Sequence, residues 1–367
     1  MYISELKIAN FRNYDFLKLK LKKKINILIG NNGQGKTNLL ESIYVLGITK
    51  SHRSFIDNNL IKKNTQKSII KGTLINENIK TNLEIEIENK KKILKIDNNI
   101  IKKNSDYISR MNIIIFYPED LELIKGSPIT RRRFLNLELS QLNSNYFLIL
   151  NDYNKLLKMR NDYLKNSYID INYLNILTDY LIEKAVIIFR MRKKFIDKLN
   201  QNIEKIYFDI TNLEKFNIKY KTCIDLDCTS EEIKKRLKEK FNEVYEQEIK
   251  FKSTLVGPHR DDFEFYIDNL NLKNYGSQGQ QRLAIIALKL GEIEIFRKYK
   301  ESNPILLLDD VFSELDETKK NNLLKYISKD IQVIITTTDL NNISDEIVKK
   351  AKIIKIDQGK IIKGDVM

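Results

Sequence analysis

The chain opens with short apolar runs between polar turns, and a helical spacing takes over in its middle. Residues 1–8, 16–21 and 25–29 read as strands. After them Leu39, Leu40, Ile43 and Leu46 recur at helical spacing within 37–46. Residues 69–75, 81–87 and 92–96 alternate polar with apolar, which predicts a small antiparallel subdomain, and 113–116 is a short buried run. Ser127 followed by Pro128 predicts a helix start, and 131–165 and 172–201 are long, charged and amphipathic. Thr229 and Glu232 form a capping-box pattern for a further helix reaching about Phe241.

From Thr254 the alternation of strand and helix returns. A hairpin is expected at 263–272, a helix at 277–298, a fully apolar strand at 305–308 and a helix from about Asp316. A strand at 331–336 and a hairpin around Gln358-Gly359 close the chain. This order predicts an α/β fold in which both chain ends build one head, with an antiparallel β subdomain and an inserted α-helical lobe. The divisions fall at 1–122, 123–253 and 254–367.

Chemistry sits at both ends of that pattern. GNNGQGKT (30–37) follows an apolar strand, opens a helix and matches the phosphate loop G-x-x-x-x-G-K-[ST]. Gly30, Gly33 and Gly35 free the backbone so that the amides along Asn31, Asn32, Gln34 and Lys36 turn toward phosphate oxygens. Lys36 is expected on the β- and γ-phosphates of ATP and the Thr37 hydroxyl on Mg²⁺. The distal ILLLDD (305–310) reads as a strand buried on both faces. Asp309 at its carboxyl end is the candidate Mg²⁺ ligand, and Asp310 the candidate to orient or deprotonate a water. A glycine turn and two exposed aspartates are the plainer alternatives.

Composition bounds the partner more than the fold. The formal charge is +15 in 367 residues, which invites a polyanion, yet Lys, Ile and Asn are abundant throughout. Arginine is the better tracer, with 13 in the chain and dense motifs at Arg12, Arg53, Arg131–Arg133, Arg260 and Arg282. Three adjacent arginines on a helix spread around it, so Arg131, Arg132 and Arg133 are DNA-phosphate candidates, with local acid pairing as the alternative. KLKLKKK (18–24) reads first as a solvated strand edge. Cys223 and Cys228 make no zinc or disulfide framework, and no run of about 18 apolar residues appears. A soluble, reduced, cytoplasmic protein without a membrane partner is expected.

GSQGQQR (276–282) precedes the late helix, and free amides at a helix N-terminus make an anion site. This segment resembles the signature of ABC-type ATPase heads, and SELD (313–316) their D-loop. The resemblance implies a head-to-tail homodimer in which Ser277, with Gly279 and Gln280, contacts ATP held by the other copy.

Finer motifs resemble the RecF family of bacterial recombination and repair ATPases. They are NFRNY (10–14), GNNGQGKTNLLESIY, KSHRSF (50–55), FYPEDLELIKGSPITRRRFL (116–135), GPHRDDF (257–263), GSQGQQR, LLLDDVFSELD and QVIITTT (332–338). They run end to end in the family's order. Membership implies ATP binding, slow DNA-dependent hydrolysis, ATP-dependent dimerisation and binding to DNA at duplex and single-strand junctions. It also implies work with RecR, RecO and RecA in gap repair and the SOS response, and a place for Arg12 near the nucleotide. Asp310 stands where most ABC heads carry Glu, and Thr336–Thr338 where transporters usually carry His, which suits slower turnover. An SMC-like chromosome-associated head and a transporter ATPase subunit are the competing readings. The helical span is short for the first, and the 241 positions between Lys36 and Ser277 are many for the second.

Overall fold

A computed structural model of the chain describes residues 1–54, 56–88, 91–212, 215–300, 302–314, 320 and 330–362. The chain divides into two compact units. The first takes in 1–120, 209–212 and 285–367, and the second 121–208 and 213–284.

The first unit holds two sheets. In the first of them, β1 (Tyr2–Phe11), β2 (Tyr14–Lys20), β4 (Lys67–Asn76), β5 (Ile79–Glu88), β6 (Lys91–Ile96) and β7 (Asn99–Ile100) lie antiparallel in the order β2-β1-β4-β5-β6-β7. The expected subdomain is therefore larger than its alternating segments, because β1 pairs with β4 and brings the N-terminal hairpin with it. One face is apolar, with Leu6, Ile8, Ile70, Leu83 and Ile85 buried. The other carries a Lys and Glu ladder, including Lys71–Glu84 at 2.7 Å and Lys67–Glu86 at 2.7 Å.

The second sheet joins the two ends of the chain. Its strands are β3 (Ile25–Ile29), β8 (Ile113–Phe116), β12 (Ile305–Asp309), β13 (Val333–Thr337), β14 (Lys352–Asp357) and β15 (Lys360–Ile362). They run in the order β15-β14-β3-β13-β12-β8, parallel except for the β14–β15 hairpin. Leu306, Leu307 and Leu308 are fully buried, as an unbroken apolar run requires in a sheet covered on both faces. Helix α1 (Lys36–Ile48) follows β3 and buries Leu39, Leu40, Ile43 and Leu46, the residues whose spacing predicts it. A short helix, α2 (Asn104–Ile108), lies between β7 and β8.

The second unit is mainly helical. It contains α3 (Glu122–Lys125), α4 (Pro128–Leu142), α5 (Ser144–Tyr163), most of α6 (Ile171–Thr211), α7 (Ser230–Glu243) and α8 (Tyr245–Phe251). The helix expected over 131–165 breaks at Asn143, which is extended and caps α5 by accepting from the Asn145 amide. The capping box at Thr229 and Glu232 is present in full. A three-stranded sheet pairs β9 (Phe216–Lys221), β10 (Asp262–Ile267) and β11 (Leu270–Asn271). Because β10 pairs with β9 along its whole length, residues 254–284 lie in this unit, and the division drawn at 253 cuts between paired strands. The short α9 (Leu272–Tyr275) and the start of α10 (Gln278–Lys300) complete it. The helix expected from Asp316 and the last part of SELD lie outside the described residues.

Candidate functional site

The parallel sheet brings its strand ends together at the phosphate-loop motif. Asp309 is paired in register with Thr336, and Thr336 with Leu28, one residue before the end of β3. The carboxyl ends of β3, β13 and β12 thus form one row, where open α/β sheets take their ligands. Gly35 adopts φ +110 at the start of α1, and a Cβ there would come within 2.6 Å of Asn13 Nδ2, so glycine is needed twice over.

The geometry joins the two halves of the motif across 272 positions. Thr37 Oγ1 donates to Asp309 Oδ1 at 3.0 Å, and Thr336 Oγ1 donates to the same oxygen at 2.7 Å. The Asp310 amide donates to Thr336 Oγ1 at 3.0 Å, and Asp310 itself sits at φ +53. Burial raises the Asp309 carboxyl above its ordinary value, against the hydrogen bonds from Thr336 and Thr37. The Lys36 ammonium donates to the carbonyls of Gly30 (2.6 Å) and Asn31 (2.9 Å). Burial lowers its pKa, opposed by the fields of Asp310 and Asp309. Asn31, Asn32 and Gly33 are exposed at the loop's tip.

The NFRNY segment lies beside this loop. Arg12 closes its fork on Glu41 of α1, with Nε to Oε2 at 2.9 Å and Nη2 to Oε1 at 2.7 Å, and Nη1 donates to the Asn59 carbonyl at 2.7 Å. Glu41 is fully buried. Burial pushes its carboxyl up, but bonds from Arg12 and Ser51 outweigh that and hold it below the usual range. Three further side chains adjoin this contact, Asn13 and Tyr14 of NFRNY and Arg53, one of the arginines whose clusters are phosphate or DNA candidates. Asn13 Oδ1 accepts from Asn38 at 2.9 Å, Tyr14 OH donates to the Gly35 carbonyl at 3.0 Å, and Arg53 donates to Asn38 Oδ1 at 3.0 Å. Arg53 is 40% exposed at its side chain, and its charge acts on Asp309. Its place in KSHRSF was the available signal, but nothing local said which way it points.

The other predicted residues lie in the helical unit. Ser277 and Gln280 cap α10 reciprocally, with the Ser277 amide donating to Gln280 Oε1 at 2.9 Å and the Gln280 amide to Ser277 Oγ at 3.2 Å. Ser277 and Gly279 are exposed there. Arg131 must be withdrawn as a DNA contact. It is 5% exposed, grips Asp262 through Nε (2.6 Å) and Nη2 (2.9 Å), and donates Nη1 to the Leu123 and Gly126 carbonyls. The local-pairing alternative wins because β10 delivers an acid to the start of α4. Arg132 is half-buried and donates to the Asp261 carbonyl at 2.6 Å, and Arg133 is half-buried.

Comparison with known proteins agrees with this architecture. Residues 2–362 match the family described as RecF/RecN/SMC N terminal domain. The DNA replication and repair protein RecF of Bacillus cereus (strain AH820) is 42% identical over 368 residues, covering 98% of both chains. A solved structure of the recombination mediator protein RecF with ATP, in the RecFOR pathway, superposes with a TM-score of 0.92 at 32% identity, covering 99% of this chain and 98% of that one. An SMC head bound to the C-winged helix domain of ScpA shares the fold, with a TM-score of 0.55, 16% identity and coverage of 99% and 97%. The class is therefore the ATPase head of the RecF/RecN/SMC type. Within it, the chain belongs to the RecF family of DNA replication and repair proteins. Among the described residues no helix is long and apolar enough to cross a membrane.

Proposed function

We propose that the chain is an ATP-operated switch on DNA. One observation carries the nucleotide site: the Thr37 hydroxyl, next in sequence to Lys36, and the Asp309 carboxylate meet at 3.0 Å. Both are hard oxygen donors of the kind Mg²⁺ takes, and with few protein ligands the ion keeps substrate phosphate oxygens and water in its shell. No group of three His, Cys, Asp or Glu side chains that would hold a metal alone occurs among the described residues. Bound there, Mg²⁺ would neutralise charge on the phosphates. Lys36 exchanges its two loop carbonyls for β- and γ-phosphate oxygens, and the amides from Gly33 to Thr37 cradle the phosphates. Asp310 orients the attacking water, and Arg53, 40% exposed at its side chain and with a charge that acts on Asp309, supplies positive charge there.

The same reading makes the site bimolecular. Ser277, Gly279 and Gln280 of one copy cap the γ-phosphate held by another, which the exposure of Ser277 and Gly279 at the start of the long α10 favours. ATP then acts by mass action on a homodimer, and slow hydrolysis releases it. DNA is the substrate of the switch, with the +15 charge as the general attraction. RecR, RecO and RecA are the partners, in a cytoplasmic setting.

Light scattering with ATP and Mg²⁺ tests this. Wild type should dimerise and Lys36→Ala should stay monomeric. Ser277→Arg should bind ATP normally yet fail to dimerise, and loss of ATP binding in that variant would mean a site completed within one chain. Absence of DNA binding at low salt with ATP present would favour a transporter-type head.

A further inference from the structure

The phosphate loop is gripped by a turn from the far end of the chain. β14 and β15 are joined by a two-residue turn with both residues at positive φ, Gln358 at +47 and Gly359 at +73, as a type I′ hairpin requires. Both turn amides are directed at Gln34. The Gln358 amide donates to Gln34 Oε1 at 2.6 Å, and the Gly359 amide to the Gln34 carbonyl at 3.0 Å. From the other side the β1–β2 turn reaches the same residue, with Asn13 Nδ2 3.5 Å from the Gln34 carbonyl. The fit is close. A Cβ on Gly359 would lie 3.2 Å from both Asn13 Nδ2 and Asn13 O, and one on Gly30 would lie 2.2 Å from the Ile356 carbonyl.

We propose that the Gln358-Gly359 turn is a positioning element for nucleotide binding: it fixes Gln34 so that the following amides face the phosphates. The proposal rests on the nucleotide site argued above. Its physical basis is the position of Gln34 between Gly33 at φ +79 and Gly35 at φ +110. Two flanking glycines leave that peptide segment with many conformations, and the cost of ordering it falls on ATP unless something else orders it first. The hairpin does so with two amides and no side chain of its own. Gln358 and Gly359 therefore matter through backbone geometry, which is why no chemistry-bearing motif marks them.

Three full-length proteins test this: wild type, Gln34→Met, which keeps the shape but loses the amide-group acceptor, and Gly359→Val. Titration with a fluorescent ATP analogue should show about 3- to 10-fold weaker binding for Gln34→Met, the equivalent of one lost hydrogen bond, and a larger loss for Gly359→Val. In Gly359→Val, whose side chain lies outside the phosphate loop, KM for ATP should rise while kcat at saturation stays near wild type. Hydrogen exchange at the 358 and 359 amides should slow when the analogue binds wild type. Unchanged affinity of Gln34→Met, or a loss matched by an equal fall in nucleotide-free stability, would overturn the positioning role. Failure of wild type itself to bind ATP would instead overturn the underlying nucleotide site.

Discussion

Two polar clusters in this protein look alike in sequence and behave differently in structure. One is the phosphate loop with Asp309 and Asp310. The other is GPHRDDF with its helical neighbours, where Arg192 donates to Tyr146 OH (3.1 Å), the Pro258 carbonyl (2.6 Å), Asp261 (3.1 Å) and Asn136 (3.0 Å). Arg160 likewise meets Thr178, Thr254 and Glu248 at 2.6–2.9 Å, and both arginines are about 2% exposed. Every nitrogen of those two guanidiniums ends on an acceptor of its own unit. In the loop, by contrast, the Lys36 ammonium rests on two loop carbonyls and makes no salt bridge among the described residues. A charge whose bonds end on fixed buried partners shapes a core, whereas one resting on exchangeable carbonyls is available to a ligand. Richness in Arg, His and Asp does not separate these cases, but the identity of the partners does.

Breaking the buried cluster should cost the most. Arg160→Ala strands Glu248 without its partner, and chemical denaturation should show a loss of about 3–5 kcal/mol, with no specific change in ATP affinity of the folded fraction. A loss under about 1 kcal/mol would erase the contrast between the clusters. Lys36→Ala should do the reverse: ATP binding on the order of 100-fold weaker, with nucleotide-free stability within about 1 kcal/mol of wild type.

A pH series sharpens the comparison on one residue. His259 accepts from Tyr153 OH at Nδ1 (2.6 Å) and donates from Nε2 to the Thr254 carbonyl (3.1 Å), the neutral tautomer. Burial lowers its pKa from 6.5 to about 4, with the charges of Arg260, Arg132 and Arg160 adding to it. The unfolded imidazole protonates near 6.5 and the folded one only near 4, so stability is lost as pH falls through that window and levels off below it. Relative to His259→Gln, wild type should lose about 2–3 kcal/mol between those limits. A flat difference would place His259 in solvent rather than in the core of its unit. Smallest of all should be the effect of Ser277→Arg on the isolated monomer, where it touches only a helix cap.

Much of the site was legible because its signals are local. The phosphate loop needs particular glycines in eight consecutive residues, and the acid strand needs an apolar run ending in Asp309, so each half announces itself within a short window. The hairpins, the capping box at Thr229 and the helix after Gly276 are local for the same reason. Arg131 was misread because a guanidinium's role depends on what a distant strand brings to it, here Asp262 on β10, and three adjacent arginines say nothing of that.

By itself, the sequence determined the phosphate-loop and acid-strand motifs, the strand and helix periods, and the fact that both chain ends share one sheet, since each follows from residue type at fixed spacing. Only the tertiary structure decided which polar groups are spent. Parallel pairing of β12 with β13, and of β13 with β3, sets Thr37, Asp309 and Thr336 on one carboxylate oxygen. The close of the chain at Gln358-Gly359 holds Gln34, and Glu41 takes the fork of Arg12. Hydrogen bonds and ion pairs saturate between groups hundreds of residues apart, and the availability of each group is settled only when the fold has closed.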